Sequence, residues 1–178
     1  MNTKSLTVTA MFAALMCVLG PLSIPIGPIP FSLSVFTVYL SAYVLGSKRG
    51  TLAVLVYLLI GLLGLPVFSG FSGGPGKLFG PTGGYLIGFL PMAVLTGRIR
   101  ELSDDVKIQS LGMLAALLAC YLPGTAWLAY FAKMSFSEAA VVGMWPFIGW
   151  DVIKLILSVM AGQVLLKRVP YLSETRSY

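Results

Sequence analysis

Apolar stretches alternate with short polar or Gly/Pro-rich connections along almost the whole chain. Six such stretches can be recognised, approximately at 6–22, 31–45, 51–65, 84–95, 111–130 and 141–166. A helix of about 20 apolar residues is long enough to cross the hydrocarbon core of a bilayer. The pattern therefore predicts an all-α, polytopic membrane protein, a compact bundle of six transmembrane helices.

Composition supports this class. Of the 178 residues, 57% are hydrophobic and only 10% are charged, and the mean hydropathy is +0.92, so too little polar surface is present to cover a soluble domain. No flexible linker or shift in composition divides the chain, and we expect one integral membrane domain over 1–178. We expect its longest polar connection, 98–110, to be a solvated loop.

The basic residues are distributed unequally between alternate connections. With the N-terminus in the cytoplasm, nine Lys or Arg side chains fall on that side, only Lys77 and Lys133 fall on the other, and Lys154 lies in the membrane. The nine are Lys4, Lys48, Arg49, Arg98, Arg100, Lys107, Lys167, Arg168 and Arg176. This bias predicts that both termini lie in the cytoplasm. We expect a multi-pass protein of the plasma membrane. The net charge of +6 is therefore explained by membrane orientation and does not indicate a nucleic-acid-binding protein.

Several catalytic classes are excluded or disfavoured. The absence of histidine removes Ser-His-Asp, Cys-His and HExxH chemistry. The segment 73–77 lacks the GxxxxGK[ST] phosphate-binding pattern because Leu78 follows Lys77. Ser158 lies one turn after Lys154, but no oxyanion-hole motif accompanies the two residues. We predict neither an enzyme nor a bound cofactor or metal, and we expect both cysteines to be buried thiols rather than a disulfide.

Two ionisable residues, Asp151 and Lys154, interrupt the last apolar stretch. Counted back from Lys167 at about 1.5 Å per residue, they lie about 24 and 20 Å into a core about 30 Å thick. Residues three apart share a helix face, and intramembrane charges usually face a polar cavity or one another. The pair therefore indicates either a ligand site or a self-neutralising ion pair between helices. An acceptor-only carboxylate beside a three-donor ammonium suits a ligand that carries both N–H and C=O groups.

Two connections on the side of Asp151 are rich in Gly and Pro. Segment 21–30 has four prolines and cannot be helical. Segment 66–84 has seven glycines and three prolines, which predicts an irregular Gly-rich extracellular loop over the ligand site or, alternatively, a structural plug. On the first apolar stretch, Ala10 and Ala14 form a small-residue stripe that suits internal packing or a partner subunit.

Four strings in the chain resemble the BioY family: GLPVF at 64–68, SGG at 72–74, GPTGGYL at 80–86 and DVIK at 151–154. Members of this family are the biotin-capturing substrate-specificity subunits, or S components, of energy-coupling-factor (ECF) transporters. The resemblance extends over essentially the whole chain. It implies vitamin uptake with a transmembrane coupling subunit and two ATPase subunits, within membrane lipid.

The resemblance also implies roles for particular residues. Asp151 would accept hydrogen bonds from the ureido N–H groups of biotin, and Lys154 would contact the ureido oxygen or the valerate carboxylate. The backbone around Gly73, Gly74, Gly83 and Gly84, with Tyr85, would complete the pocket, and Phe68 and Phe71 would cover the apolar parts of the ligand. Ala10 and Ala14 would meet the coupling subunit. The alternatives are the same fold with another vitamin, or a self-sufficient secondary transporter that uses Asp151 as an ion site.

Overall fold

The computed structural model describes residues 3–25 and 29–169 of the chain. Within these residues are seven helices and one two-stranded hairpin. In chain order they are α1 (Thr3–Leu19), β1 (Ser23–Ile24), β2 (Phe31–Ser32), α2 (Ser34–Leu62), α3 (Pro75–Leu78), α4 (Gly83–Leu102), α5 (Val106–Ala132), α6 (Phe136–Gly143) and α7 (Trp145–Arg168). In the described ranges α2, α5 and α7 are long and apolar enough to cross a membrane, and α1 is a shorter apolar helix. The chain is therefore a mainly helical, multi-pass membrane protein.

Helix α2 contains a sharp corner at Gly46. This residue has φ 79° and ψ −179°, a backbone conformation that glycine adopts without the steric cost of a Cβ. Four residues later, a Cβ on Gly50 would lie 3.1 Å from the Cβ of Ala42, although eight residues of straight helix would separate them by about 12 Å. The chain therefore turns back on itself at Gly46, between the predicted stretches 31–45 and 51–65.

The expectation of a long polar loop over 98–110 is wrong. Helix α4 continues to Leu102 and α5 begins at Val106, so only three residues separate them. Hydrogen bonds support both ends, because Arg100 pairs with Asp104 at 3.0 Å and the Asp105 side chain caps α5 by accepting from the Lys107 amide. The mixed charges of this segment are thus helix-terminal side chains, which apolar periodicity alone does not identify.

The last predicted stretch, 141–166, also begins too early. The helix breaks at Met144 (φ −127°, ψ −59°), which separates the short α6 from α7. A capping box between Ser135 and Glu138 starts α6, and these hydrogen bonds from Ser135 lower the pKa of the Glu138 carboxyl. Pro146 lies in the first turn of α7, where a missing amide donor costs nothing. Asp151 and Lys154 therefore lie in the second and third turns of α7.

The two Gly/Pro-rich connections lie together at one end of the bundle, which we call the loop end. The first forms the β1–β2 hairpin, with Ser23 opposite Ser32; its residues 26–28 lie outside the described ranges. The second, 66–84, contains α3 and an isolated bridge between Phe68 and Ser72. The Gly70 amide donates to the Pro21 carbonyl at 3.1 Å, so backbone hydrogen bonding connects the two segments.

The opposite end, which we call the basic end, is organised around the corner of α2. The Glu101 carboxylate accepts a hydrogen bond from the Ser47 amide at 2.7 Å, and Tyr43 donates to Gln109 at 2.6 Å. Of the nine basic residues assigned to one side from the sequence, eight occur near helix termini or corners away from the loop end, and Arg176 lies outside the described residues. The charge map and the fold therefore agree on which connections share an end.

Candidate functional site

A cavity opens between the helices near the loop end. Its empty volume, counted together with the open mouth, is about 610 Å³. The lining comes from the hairpin, loop 66–84 and helices α2, α4, α5, α6 and α7. The residues are Ile29, Pro30, Ser32, Ser34, Val35, Ser69, Thr82, Tyr85, Leu86, Phe89, Cys120, Tyr121, Gly143, Phe147, Asp151 and Lys154.

Helical spacing explains which side chains reach the cavity. Thr82, Tyr85, Leu86 and Phe89 are spaced i, i+3, i+4 and i+7 at the start of α4, and Phe147, Asp151 and Lys154 follow the same periodicity on α7. Each set therefore lines one face of its helix. The lining is mainly apolar, with a few polar groups, as is typical of sites that recognise a small molecule.

Asp151 and Lys154 form the charged part of the lining. They are only 3% and 6% exposed, and Lys154 Nζ donates to Asp151 Oδ1 at 2.7 Å. The Tyr121 hydroxyl donates to the other carboxylate oxygen, Oδ2, at 2.6 Å. Because both carboxylate oxygens have a donor, the charge of Asp151 is fixed in position and neutralised by a single cation.

Lys154 is also held from the hairpin. Its Nζ lies 4.0 Å from the ring centroid of Phe31 on β2, a cation–π geometry worth up to about 2 kcal/mol when desolvated. Phe31 packs edge-on against Trp150 of α7, with ring centroids 5.6 Å apart. The hairpin at the mouth of the cavity is thus in direct contact with its buried ammonium group.

Tyr85 is a predicted site residue that does line the cavity. Its hydroxyl is 3.2 Å from Thr125 Oγ1, and its ring lies directly over Gly124, while Gly143 adjoins its hydroxyl. A Cβ at either glycine would overlap Tyr85. The two glycines therefore make the room in which this aromatic side chain is seated.

The four predicted glycines are not among the lining residues, although Gly83 and Gly84 stand in the chain between the lining residues Thr82 and Tyr85. A Cβ on Gly83 would overlap the Leu78 carbonyl, one on Gly84 would overlap Trp127, and one on Gly73 would overlap the Leu65 carbonyl. Gly74 has φ 84° and donates to the Gly61 carbonyl at 2.7 Å. These glycines allow close backbone packing and so fix the shape of loop 66–84.

Phe68 and Phe71 are not among the lining residues either. Phe68 is fully buried, where it packs edge-on against Tyr57 and over Gly61. Phe71 is 67% exposed at a turn with φ 53°. Loop 66–84 instead reaches the cavity through Ser69 and Thr82. Lys77, on α3 in the same loop, has its pKa lowered by partial burial.

Sequence reasoning did not select Tyr121, Thr82, Ser69 or Phe147. One signal for two of them was present: Thr82 is three residues before Tyr85, and Phe147 is four before Asp151, so each shares a helix face with a selected residue. Tyr121 lies in the uniform apolar stretch of α5, and only the tertiary structure brings its hydroxyl to Asp151. The two cysteines are free thiols, as predicted, but only Cys120 is buried, and Cys17 is half-buried.

Ala10 and Ala14 lie on the outer face of α1. Both are exposed, while Thr9, Ala13 and Met16 are buried on the inner face. Of the two uses predicted for the stripe, packing inside the bundle is therefore wrong for these two residues in the described structure. Their small side chains leave a shallow surface that faces lipid or another protein.

Comparisons with known proteins agree with this architecture. A family model described as the BioY family matches residues 1–171. The biotin transporter BioY of Thermotoga maritima is 42% identical over 164 residues, covering 92% of this chain and 96% of that protein. The probable biotin transporter BioY of Pyrococcus horikoshii is 41% identical over 165 residues, with coverage of 93% and 98%.

A solved structure shares the fold. The crystal structure of the S-component for biotin from an ECF-type ABC transporter superposes with a TM-score of 0.87 at 30% identity, covering 94% of this chain and 95% of that one. The family match and the relatives extend over nearly the full length of the chain, so the similarity is not confined to one motif. The chain belongs to the BioY family.

Proposed function

We propose that this protein captures biotin as the S component of an ECF transporter and is not itself an enzyme. The observation that carries the proposal is the buried pair of Asp151 and Lys154 in a cavity between the helices, in a chain of the BioY family. A cyclic urea presents two N–H donors and one carbonyl acceptor. A carboxylate beside an ammonium is complementary to that arrangement.

In this proposal the Asp151 carboxylate accepts from the ureido N–H groups and Lys154 donates to the ureido oxygen. Each carboxylate oxygen has a second lone pair available beyond its bond to Tyr121 or Lys154. Tyr85, Phe89 and Phe147 provide apolar walls for the ring system. Five other predicted residues act indirectly, by shaping loop 66–84: Gly73, Gly74, Gly83, Gly84 and Phe68. Phe71 lies exposed on the outer surface of the same loop.

We also propose six transmembrane spans, with the two arms of α2 on either side of Gly46 counted separately. Loop 66–84 then lies extracellularly over the cavity, and both termini are cytoplasmic in the plasma membrane. The distribution of Lys and Arg supports this orientation. The exposed Ala10 and Ala14 face of α1 would dock a coupling subunit that works with two ATPase subunits, because small residues permit close helix approach in lipid.

The first test is equilibrium binding of radiolabelled biotin to the purified protein, with unlabelled biotin, thiamine and riboflavin as competitors. We expect saturable binding that only unlabelled biotin displaces. Absence of saturable biotin binding, together with saturable binding of radiolabelled thiamine or riboflavin, would reassign the ligand. The surface variant Lys133→Met, which removes an exposed lysine near the same end, serves as the control for loss of a charge and should bind normally.

The second test concerns the mode of transport. Proteoliposomes that contain this chain alone should bind biotin without accumulating it, whether or not an ion gradient is imposed. Accumulation should require the coupling and ATPase subunits with ATP. Uptake driven by a proton or sodium gradient in the absence of the partners would replace this proposal with a secondary transporter.

A further inference from the structure

The hydroxyl of Thr82 is a polar group of the cavity whose hydrogen bonding is not accounted for. Thr82 is 7% exposed and lines the same cavity as Asp151. Its Oγ1 atom has no hydrogen-bond partner anywhere in residues 3–25 and 29–169. A buried hydroxyl without a partner costs on the order of 1–3 kcal/mol, so it calls for a physical explanation.

The position of Thr82 makes the spare hydroxyl unusual. Thr82 is the N-cap residue of α4, where a threonine side chain normally accepts from an amide of the first turn. Here its backbone is in the αR region (φ −90°, ψ −5°) and the side chain makes no capping bond. The hydroxyl is therefore free to donate into the cavity, at the positive end of a 20-residue helix.

Thr82 lies on a different helix from the charged pair, at the N-terminus of α4. Gly88 of α4 packs against Cys120 of α5, next to Tyr121, whose hydroxyl holds Asp151. Six helical residues from Gly88 back to Thr82 correspond to about 9 Å toward the loop end. The cavity thus has two polar regions on different helices, the ion pair on α7 and the Thr82 hydroxyl at the N-terminus of α4.

We infer that Thr82 binds the carboxylate of the ligand's tail, with its hydroxyl donating to a carboxylate oxygen at the N-terminus of α4. This inference rests on the proposed function and adds to it. Lys154 is already engaged by Asp151 at 2.7 Å, so the pair is electrically neutral and suits the uncharged urea. A helix N-terminus favours an anion, and the second polar group of biotin is an anion at neutral pH.

The test compares Thr82→Val with Thr82→Ser, using biotin and an analogue whose carboxylate is replaced by a methyl group. Valine keeps the shape of threonine and removes the hydroxyl, whereas serine keeps the hydroxyl. We expect Thr82→Val to weaken biotin binding by about 10- to 100-fold, the effect of losing a hydrogen bond to a charged group. Thr82→Ser should stay within about threefold of wild type, since its hydroxyl still donates.

The methyl-ended analogue separates ligand contact from a structural effect. Wild type and Thr82→Val should bind it equally, because it has no carboxylate to lose. Thr96→Val is the matched control: Thr96 lies further along α4, is fully buried, and its hydroxyl is also unpartnered within the described residues. It does not belong to the described lining, and its substitution should leave both affinities unchanged.

Each other result has a distinct meaning. Equal biotin affinity of wild type and Thr82→Val, or an equal loss for biotin and the methyl-ended analogue, would overturn the assignment of Thr82 and leave biotin capture in place. Failure of the wild-type protein to bind biotin would overturn the proposed function and the tail assignment together.

Discussion

Neutralising Asp151 and Lys154 one at a time and then together separates their roles in stability and binding. At 2.7 Å and an effective dielectric constant near 20, their gross attraction is about 6 kcal/mol. Desolvation offsets much of that, but removal of one partner leaves a buried, uncompensated charge at a cost of about 3–5 kcal/mol. Asp151→Asn and Lys154→Met should therefore each lower the thermal stability of the purified protein clearly.

The double variant Asp151→Asn/Lys154→Met should behave differently. It contains no buried charge, and both replacements are close in shape to the original side chains, so its melting temperature should return toward that of wild type. Biotin binding should stay at least tenfold weaker, because charge-assisted hydrogen bonds to the ligand are worth about 1.5–3 kcal/mol each. The double variant would then have nearly wild-type thermal stability but a reduced affinity for biotin.

The assay is thermal unfolding in detergent followed by intrinsic fluorescence, with equilibrium binding of radiolabelled biotin to the same samples. Lys133→Met should match wild type in both measurements. A double variant that binds biotin like wild type would refute the ligand role of the pair and leave a purely structural ion pair. If the single variants were as stable as wild type, the expectation that an unpaired buried charge destabilises the protein would be refuted.

Two further predictions follow from contacts outside this pair. Tyr121→Phe removes the donor to Asp151 Oδ2, so it should lower stability by about 1.5–3 kcal/mol and weaken biotin binding, since the carboxylate is less firmly oriented; an unchanged melting temperature in the same fluorescence assay would contradict this. Ala14→Trp adds bulk to the outer face of α1 and should block co-purification with the coupling subunit while leaving biotin affinity unchanged. Leu118→Trp, on the exposed face of α5, is the control and should still co-purify.

The sequence predicted features that depend on local or compositional rules. The apolar stretches gave the helices, and the uneven distribution of Lys and Arg grouped the connections that lie at one end. Asp151 and Lys154 were identifiable because an ionised pair is costly within an apolar stretch. Tyr85 was named through the resemblance to the family, and the structure places it in the cavity lining.

Other features depend on tertiary contacts that a single sequence does not encode locally. The glycines of loop 66–84 resembled backbone that approaches a ligand, but at Gly83 and Gly84 the close neighbours are Leu78 and Trp127. Both interpretations use the same property of glycine, the absence of a Cβ. Likewise, α5 contains several hydroxyl side chains, and the packing of α7 against α5 brings the hydroxyl of Tyr121 into hydrogen-bond contact with Asp151.

The corner at Gly46 has a consequence for how the chain enters the membrane. The arms of α2 form one apolar run interrupted by a single reversed backbone angle, with Lys48 and Arg49 immediately after it. Positive charges are retained on the cytoplasmic side during insertion. In the proposed orientation these two residues would hold the corner on that side, and the two arms of α2 would enter the membrane together as a helical hairpin.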